Sequence, residues 1–291
     1  MESIQQLLLD PLASGFMQRA LLAVTVVGII SGIMGVYVVT RGLAFLGDAL
    51  AHSILPGVAI AFLTRGATQS ALLLGGLISG VISALSIGLL TRGRRLQEDT
   101  AIGIVFAGTL ALGIAIISSS RSFATDLQHI LIGNILAVTN ADLIQIMLIS
   151  AGILLVTFLL YKEMLIVSFD GTLAQTLRLP AETLRMLLLV LLAVTIVIGV
   201  QAVGIALIAA ALVTPAATAR LLTRRMHHTM MLSAAIGAAS GIIGMYLAWY
   251  GRIAASATIV LTMTAFFLLA YLLAPQRGYL WALLGRSARR A

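Results

Sequence analysis

The sequence contains no cysteine, so neither a disulfide framework nor thiolate metal ligation is open to it. It contains a single lysine, Lys162, and that residue follows Tyr161 rather than a glycine. A phosphate-binding loop of the G-x-x-x-x-G-K-[ST] type is therefore excluded, and if ATP drives this protein the ATPase is a different chain. Charge is scarce: 10% of the residues are Asp, Glu, Lys or Arg, where soluble domains carry about 25%. With 18 basic and 10 acidic side chains, 291 residues cannot form a water-soluble surface, which excludes soluble enzymes, secreted scaffolds and disordered tails. No H-E-x-x-H and no G-x-S-x-G occurs, so intramembrane metalloprotease and hydrolase chemistry have no sequence support, and the chain is not expected to be an enzyme.

What fills the chain instead is apolar: 60% of the residues are hydrophobic, as in an all-α, polytopic membrane protein. A spanning helix needs roughly 20 apolar residues. Stretches free or nearly free of charge run over 20–40, 66–91, 100–120, 143–161, 186–219, 226–251 and 253–276. The 186–219 stretch is too long for one span, and Gly204 and Pro215 suggest a turn near 201–204 followed by a second, broken helix to about 222. A further span over 41–65 requires Asp48 inside a helix, and 127–141, with Gly133-Asn134 at its centre, reads as short or re-entrant. The expectation is eight or nine transmembrane helices in one domain spanning residues 1–291. Residues 1–15 have no basic residue and read as an extracytoplasmic, interfacial segment rather than a cleaved signal.

Alternating sides through nine spans places fourteen basic residues on one side and four (Arg19, Arg65, Arg121 and Arg252) on the other. That bias puts the C-terminus and the basic tail 275–291 in the cytoplasm. The net charge of +8 then reflects orientation and anionic lipid, not nucleic acid. Gly28-x3-Gly32, Gly76-x3-Gly80 and Gly237-x3-Gly241 predict close helix contacts, and Tyr246, Trp249, Tyr250, Tyr279 and Trp281 predict interface anchors. Residues 42–50 (GLAFLGDAL) and 204–212 (GIALIAAAL) resemble one another, and each is followed by a proline, Pro56 and Pro215. Inverted repeats with interrupted helices are a common transporter plan.

Asp48 and His52 stand four residues apart, hence on one helix face, about 6 Å apart along the axis. Counted along a continuous helix from Arg41, they lie roughly 10–17 Å into the membrane, where ionisable groups mark pathways or buried pairs. Three readings stay open from residue chemistry: a structural ion pair, a proton relay, and a metal site of one carboxylate and one imidazole. Two copies on a two-fold axis would give two Asp and two His, a set that suits Zn²⁺, or Mn²⁺ and Fe²⁺ with added water. His129 on the outer side, and His227-His228 in a basic cytoplasmic loop, read more simply as interfacial residues.

The longest polar stretch between spans, KEMLIVSFDGTLAQTLRLPAE, is cytoplasmic in this topology. Asp170 is a good N-cap for a short helix at about 171–177, and Pro180 opens the next helix. Phe169, Leu173 and Leu177 share one face of that short helix. Such a helix either rests on the bilayer or docks into a groove on a separate ATPase.

Five segments, in order along residues 16–278, resemble the permease family of bacterial ABC importers for manganese, zinc and iron: RGLAFLGDALAHSILPGVAIAFL, EDTAIGIVFAGTLALGIAIIS, DLQHILIGNILAV, SFDGTLAQTLRLP and QAVGIALIAAALVTPAATARLL. The resemblance implies a fold like that of vitamin-B12 importers, with fewer helices. It implies a second permease copy or sister permease, two cytoplasmic ABC ATPase subunits and an extracytoplasmic metal-binding protein. ATP would bind the partner subunits; no cofactor is expected to stay bound. Carried over by position, Asp48 and His52 would be metal-pathway residues, and Phe169, Asp170, Leu173, Leu177 and Arg178, within 163–182, would couple to the ATPase. Pro56 and Pro215 would mark interrupted helices lining the path. Gly171 departs from the pattern, in which proline or another residue is expected after the Ser-Phe-Asp run. The runner-up reading is a proton-coupled secondary metal transporter, then an ion channel.

Overall fold

Glycine and proline interrupt a chain that otherwise favours helix almost throughout. The computed structural model describes residues 10–66, 68–94, 96–119 and 135–274. Helix α1 covers Gly15–Arg41, α2 Leu46–Ser53, α3 Leu55–Arg65, α4 Gln69–Leu90, α5 Glu98–Ser118 and α6 Asn140–Leu159. After these come α7 Tyr161–Phe169, α8 Gly171–Thr176, α9 Ala181–Val203, α10 Ile205–Leu222, α11 Met226–Gly251 and α12 Ala255–Leu273. Among the described residues there is no strand, and nine helical segments, counting Leu46–Arg65 as one, are long and apolar enough to cross a membrane. The all-α, multi-pass class expected from the sequence is thus the observed one. The extreme N-terminus, His129 with most of 127–141, and the tail 275–291 with Tyr279 and Trp281 lie outside the described residues.

The 41–65 segment departs from the expected continuous helix. Gly42 sits at φ +75°, in the left-handed region that glycine alone enters freely, and it ends α1. Helix resumes only at Leu46, and it is interrupted again at Ile54. Pro56 has no N–H to offer the carbonyl four residues back, which favours the second interruption. Asp48 is therefore in the first turn of a short helix, about 3 Å beyond its start by helical rise, and the depth counted from Arg41 does not apply. The similar segment begins the same way: Gly204, at φ +88°, separates α9 from α10. Beyond that the two diverge, because Pro215 lies inside an uninterrupted α10. One missing N–H is a smaller loss than unwinding several apolar residues with nothing but lipid to take their backbone groups.

The described chain forms two compact units, one drawn from Met1–Val39, Ile135–Ile144 and Ala210–Ala291, the other from Thr40–Asn134 and Gln145–Ala209. In the first, α1 and α11 meet backbone to backbone. A Cβ on Gly28 would fall 2.7 Å from the Gly237 carbonyl oxygen, and one on Gly32 would fall 2.7 Å from that of Ser233. The contact gains a hydrogen bond as well, from Ser233 Oγ to the Gly32 carbonyl at 2.7 Å. The predicted small-residue pairs thus act as helix contacts. Phe16 and Trp249 stack obliquely at 5.8 Å at the end of this pair.

In the second unit, Gly57 of α3 and Gly75 of α4 leave no room for a Cβ on either, while Gly76 and Gly80 face Val197 of α9. Helix α9 is buried along most of its length, whereas α5 and α6 present Ile104, Leu112, Leu148 and Phe158 outward. Apolar faces of this kind suit lipid or a second membrane chain.

Candidate functional site

Helix α2 carries the predicted pair on one face, with the side chains of Asp48 and His52 42% and 31% exposed. His52 Nδ1 lies 3.0 Å from the Asp48 carbonyl oxygen and 3.6 Å from its carboxylate Oδ1. With Nδ1–H donating to that carbonyl, Nε2 keeps its lone pair and is free to ligate, while the carboxylate remains without a strong partner. Phe106 of α5 stands edge-on to the His52 ring at 5.8 Å, and Phe45 stands edge-on to Phe106 at 5.6 Å. These rings restrict the imidazole on one side and leave the other side open.

The scaffold behind the pair is polar and satisfied. Ser53 Oγ donates to the Ala49 carbonyl at 2.8 Å and accepts from Thr109 Oγ1 at 2.9 Å. Where α2 stops, Ser79 Oγ donates to the Ser53 carbonyl at 2.7 Å. Leu55 lies against Gly113, so α5 tracks the α2–α3 break closely. Pro56 is buried in the first turn of α3, beside this break. Pro215 is buried within α10.

Among the described residues, no group of three or more His, Cys, Asp or Glu side chains converges on one point. One chain therefore offers two donors at this place, where a metal ion stripped of water needs at least four. The His227 and His228 rings lie with centroids 4.1 Å apart, tilted by 48°, in the first turn of α11.

The 163–182 segment folds as the last two turns of α7, a corner at Asp170, and α8. Asp170 Oδ1 accepts from the Thr172 and Leu173 amides at 2.8 and 3.1 Å, so the expected N-cap is formed. Those two hydrogen bonds hold the carboxyl below the usual aspartate range. Arg178 closes α8 in the left-handed region, at φ +55°, with Leu179 N–H returning to the Ala174 carbonyl at 3.0 Å. Phe169, Leu173 and Leu177 are all exposed, three large apolar side chains on a six-residue helix and its flanks.

A third arrangement has no counterpart in the sequence reading. Glu98, the first residue of α5, accepts from Arg41 Nη2 at 2.7 Å and from Arg185 Nη1 at 3.4 Å through the same oxygen. Arg185 also binds Glu182 Oε1 at 2.6 Å, the Gly88 carbonyl at 2.7 Å and the Thr91 hydroxyl. The only signal was that Arg41 and Arg185, counted for topology, and Glu98 stand at the ends of apolar stretches. Nothing in their spacing says that the ends of α1, α4, α5 and α9 converge.

The family model for the ABC 3 transport family matches residues 13–274. The manganese transport system membrane protein MntC of Listeria innocua is 41% identical over 268 residues, covering 92% of this chain and 94% of that one. A Haemophilus influenzae protein named "Probable iron transport system membrane protein" is 37% identical over 263 residues, covering 90% and 95%. Among solved structures, PsaBC from Streptococcus pneumoniae in complex with Fab superposes with a TM-score of 0.82 at 38% identity, covering 96% of this chain and 99% of that one. The class defined by nine apolar helices among the described residues and this match is a multi-pass membrane permease that works with partner subunits, its ATPase being a separate chain. The chain belongs to the ABC 3 transport family.

Proposed function

We propose that this chain is the membrane permease of an ATP-driven importer of divalent transition-metal ions, with manganese the leading cargo and iron or zinc the alternatives. Support for the cargo comes from relatives named for manganese and iron transport. One observation carries the mechanism: Asp48 and His52 present two free donors on an open face, and a second copy would complete the set.

The working unit is a dimer, of two copies or with a sister permease, acting as one permease domain over residues 1–291. Its C-terminus lies in the cytoplasm, on the side of the fourteen basic residues. An extracytoplasmic metal-binding protein releases its ion at the outer face. Asp48 and His52 from both copies then replace part of the lost hydration. Incomplete replacement is useful, because a site that binds too tightly does not release. The exposed Phe169–Leu177 face and the Arg178 turn dock on the ATPase, and nucleotide-driven motion there switches access. Pro56 and Pro215 keep locally weakened backbone along the path.

Asp48→Ala and His52→Ala are expected to abolish ATP-dependent Mn²⁺ uptake in proteoliposomes while the complex with the ATPase still assembles. Normal uptake in both variants would sink the assignment. Uptake that follows a proton gradient without ATP would overturn the importer reading itself.

A further inference from the structure

The Asp48–His52 pair and the 163–182 segment stand far apart in sequence, yet α5 packs against the helix that carries the first and is bonded to α9, the helix that follows the second. At its first residue, Glu98 grips Arg41, the last residue of α1, five positions before α2 begins. The same oxygen grips Arg185, in the second turn of α9, the helix into which α8 leads. Eight residues along α5, a rise of about 12 Å, Phe106 stands against His52, and Thr109 holds Ser53 one turn further. A continuous helix of 21 residues thus spans from the arginine cluster to the pair.

The cluster is incompletely satisfied. Arg41 and Arg185 are 10% and 12% exposed and share one oxygen of a single carboxylate. Arg41 Nη1 is buried with no hydrogen-bond partner, while Arg185 already has Glu182. A buried guanidinium with an unused fork is an arrangement that a small rotation improves. If Arg185 passes wholly to Glu182, Glu98 can take Arg41 through both Nη atoms. The charge sum, two positive and two negative, is the same in both arrangements, so neither is penalised by net charge. Space for the exchange exists: a cavity of about 820 Å³ opens beside Glu98, Glu182 and Arg185, and Gly171 and Thr172 of α8 line it too.

We propose that Glu98 is a positioning residue for coupled transport. Movement of α8 changes how Glu98 is divided between Arg185 and Arg41, and α5 carries the change to His52 and Asp48. The inference rests on the reading that α8 meets the ATPase and that Asp48 and His52 meet the ion. Two partner arrangements of one carboxylate supply the two-state element that such coupling requires.

The test is Mn²⁺ transported per ATP hydrolysed, measured in liposomes holding the assembled permease, its ATPase and the metal-loaded binding protein. Glu98→Gln is expected to keep at least about half the hydrolysis rate and to move roughly tenfold less Mn²⁺ per ATP, within the usual span of coupling energies. Glu98→Asp, which keeps the charge, is expected to recover most of the ratio. An unchanged ratio in Glu98→Gln overturns the proposal, and so does a proportional loss of transport and hydrolysis, which is what a purely structural role gives. Should Glu98→Gln fail to assemble, Arg41→Lys removes the fork and keeps the charge; it must lower the ratio, and an unchanged ratio again overturns the proposal. Asp48→Ala measured alongside separates the two failures. If it transports normally, the site reading falls; if it is dead while Glu98→Gln is fully coupled, only the Glu98 link falls.

Discussion

Two charged groups share the second compact unit, and they are built in opposite ways. Arg41, Glu98, Arg185 and Glu182 join four helix ends and neutralise one another, and both arginines are nearly buried. Asp48 and His52 lie on one helix, half open, with a carboxylate and an imidazole nitrogen left unused. Taking ionised groups out of water requires partners, and the first group supplies them from within the chain. The second does not, and stays exposed enough to tolerate it. The contrast separates a group satisfied within the chain from one that the chain leaves open.

The largest effect should come from breaking the closed group. Arg185→Ala removes the partner of Glu182, a share of Glu98, and the donor to the Gly88 carbonyl and the Thr91 hydroxyl. Losing one member of a fully buried pair costs about 3–5 kcal/mol; Glu98 and Glu182 are 28% and 40% exposed, so the loss here is smaller, and the apparent melting temperature in detergent should still fall by several degrees. His52→Ala, at an open position, should change stability by no more than about 0.5 kcal/mol although uptake is lost. Equal melting temperatures for the two variants would erase the contrast.

Sequence reasoning reached one of these groups and not the other, for a physical reason. Asp48 and His52 belong to a single helix, so a spacing of four is enough to pair them. Glu98, Arg41 and Arg185 belong to three helices, and only the packed structure brings them together. The spans were legible from apolar length, and close helix approach at Gly28, Gly32 and Gly237 from their spacings, because backbone approach needs a missing Cβ wherever it occurs; that α1 and α11 are the helices that meet came only from the packing. The break at 42–45 was missed, since an apolar run with one charge reads as a continuous helix until Gly42 takes a positive φ. Pro215 misled in the other direction: proline weakens a helix, but neighbouring hydrogen bonds and the apolar surroundings hold α10 together.

A third carboxylate sharpens the comparison from between the two extremes. Asp170 is fully exposed, like an open site, yet it is satisfied by the Thr172 and Leu173 amides. Its folded pKa is depressed, so the cap contributes fully above the unfolded value of about 3.9 and is lost as pH falls through the lower, folded value. Helix α8 should therefore be indifferent to pH from neutral down to about pH 5 and fray only in stronger acid. Asp170→Ala should speed hydrogen exchange at Thr172 and Leu173 at neutral pH, whereas Asp170→Asn, an equally good cap, should not. Fraying already near pH 6 would mean that another group holds α8.

The smallest effect is expected next door, at Gly171→Ala. Gly28 and Gly32 are glycines because a carbonyl lies 2.7 Å from where a Cβ would sit, but a Cβ on Gly171 meets nothing within 4 Å. Its backbone is ordinary helix, and alanine favours helix over glycine by up to about 1 kcal/mol. The change should slow exchange in α8 slightly and leave Mn²⁺ uptake within about twofold, a difference of roughly 0.4 kcal/mol by the usual conversion. A much larger loss would show that the open space beside Gly171, which belongs to the same cavity as Glu98 and Arg185, is filled during the transport cycle. In that event the closed group would share its boundary with the motor, and Glu98 would stand nearer to the driving step than to the ion.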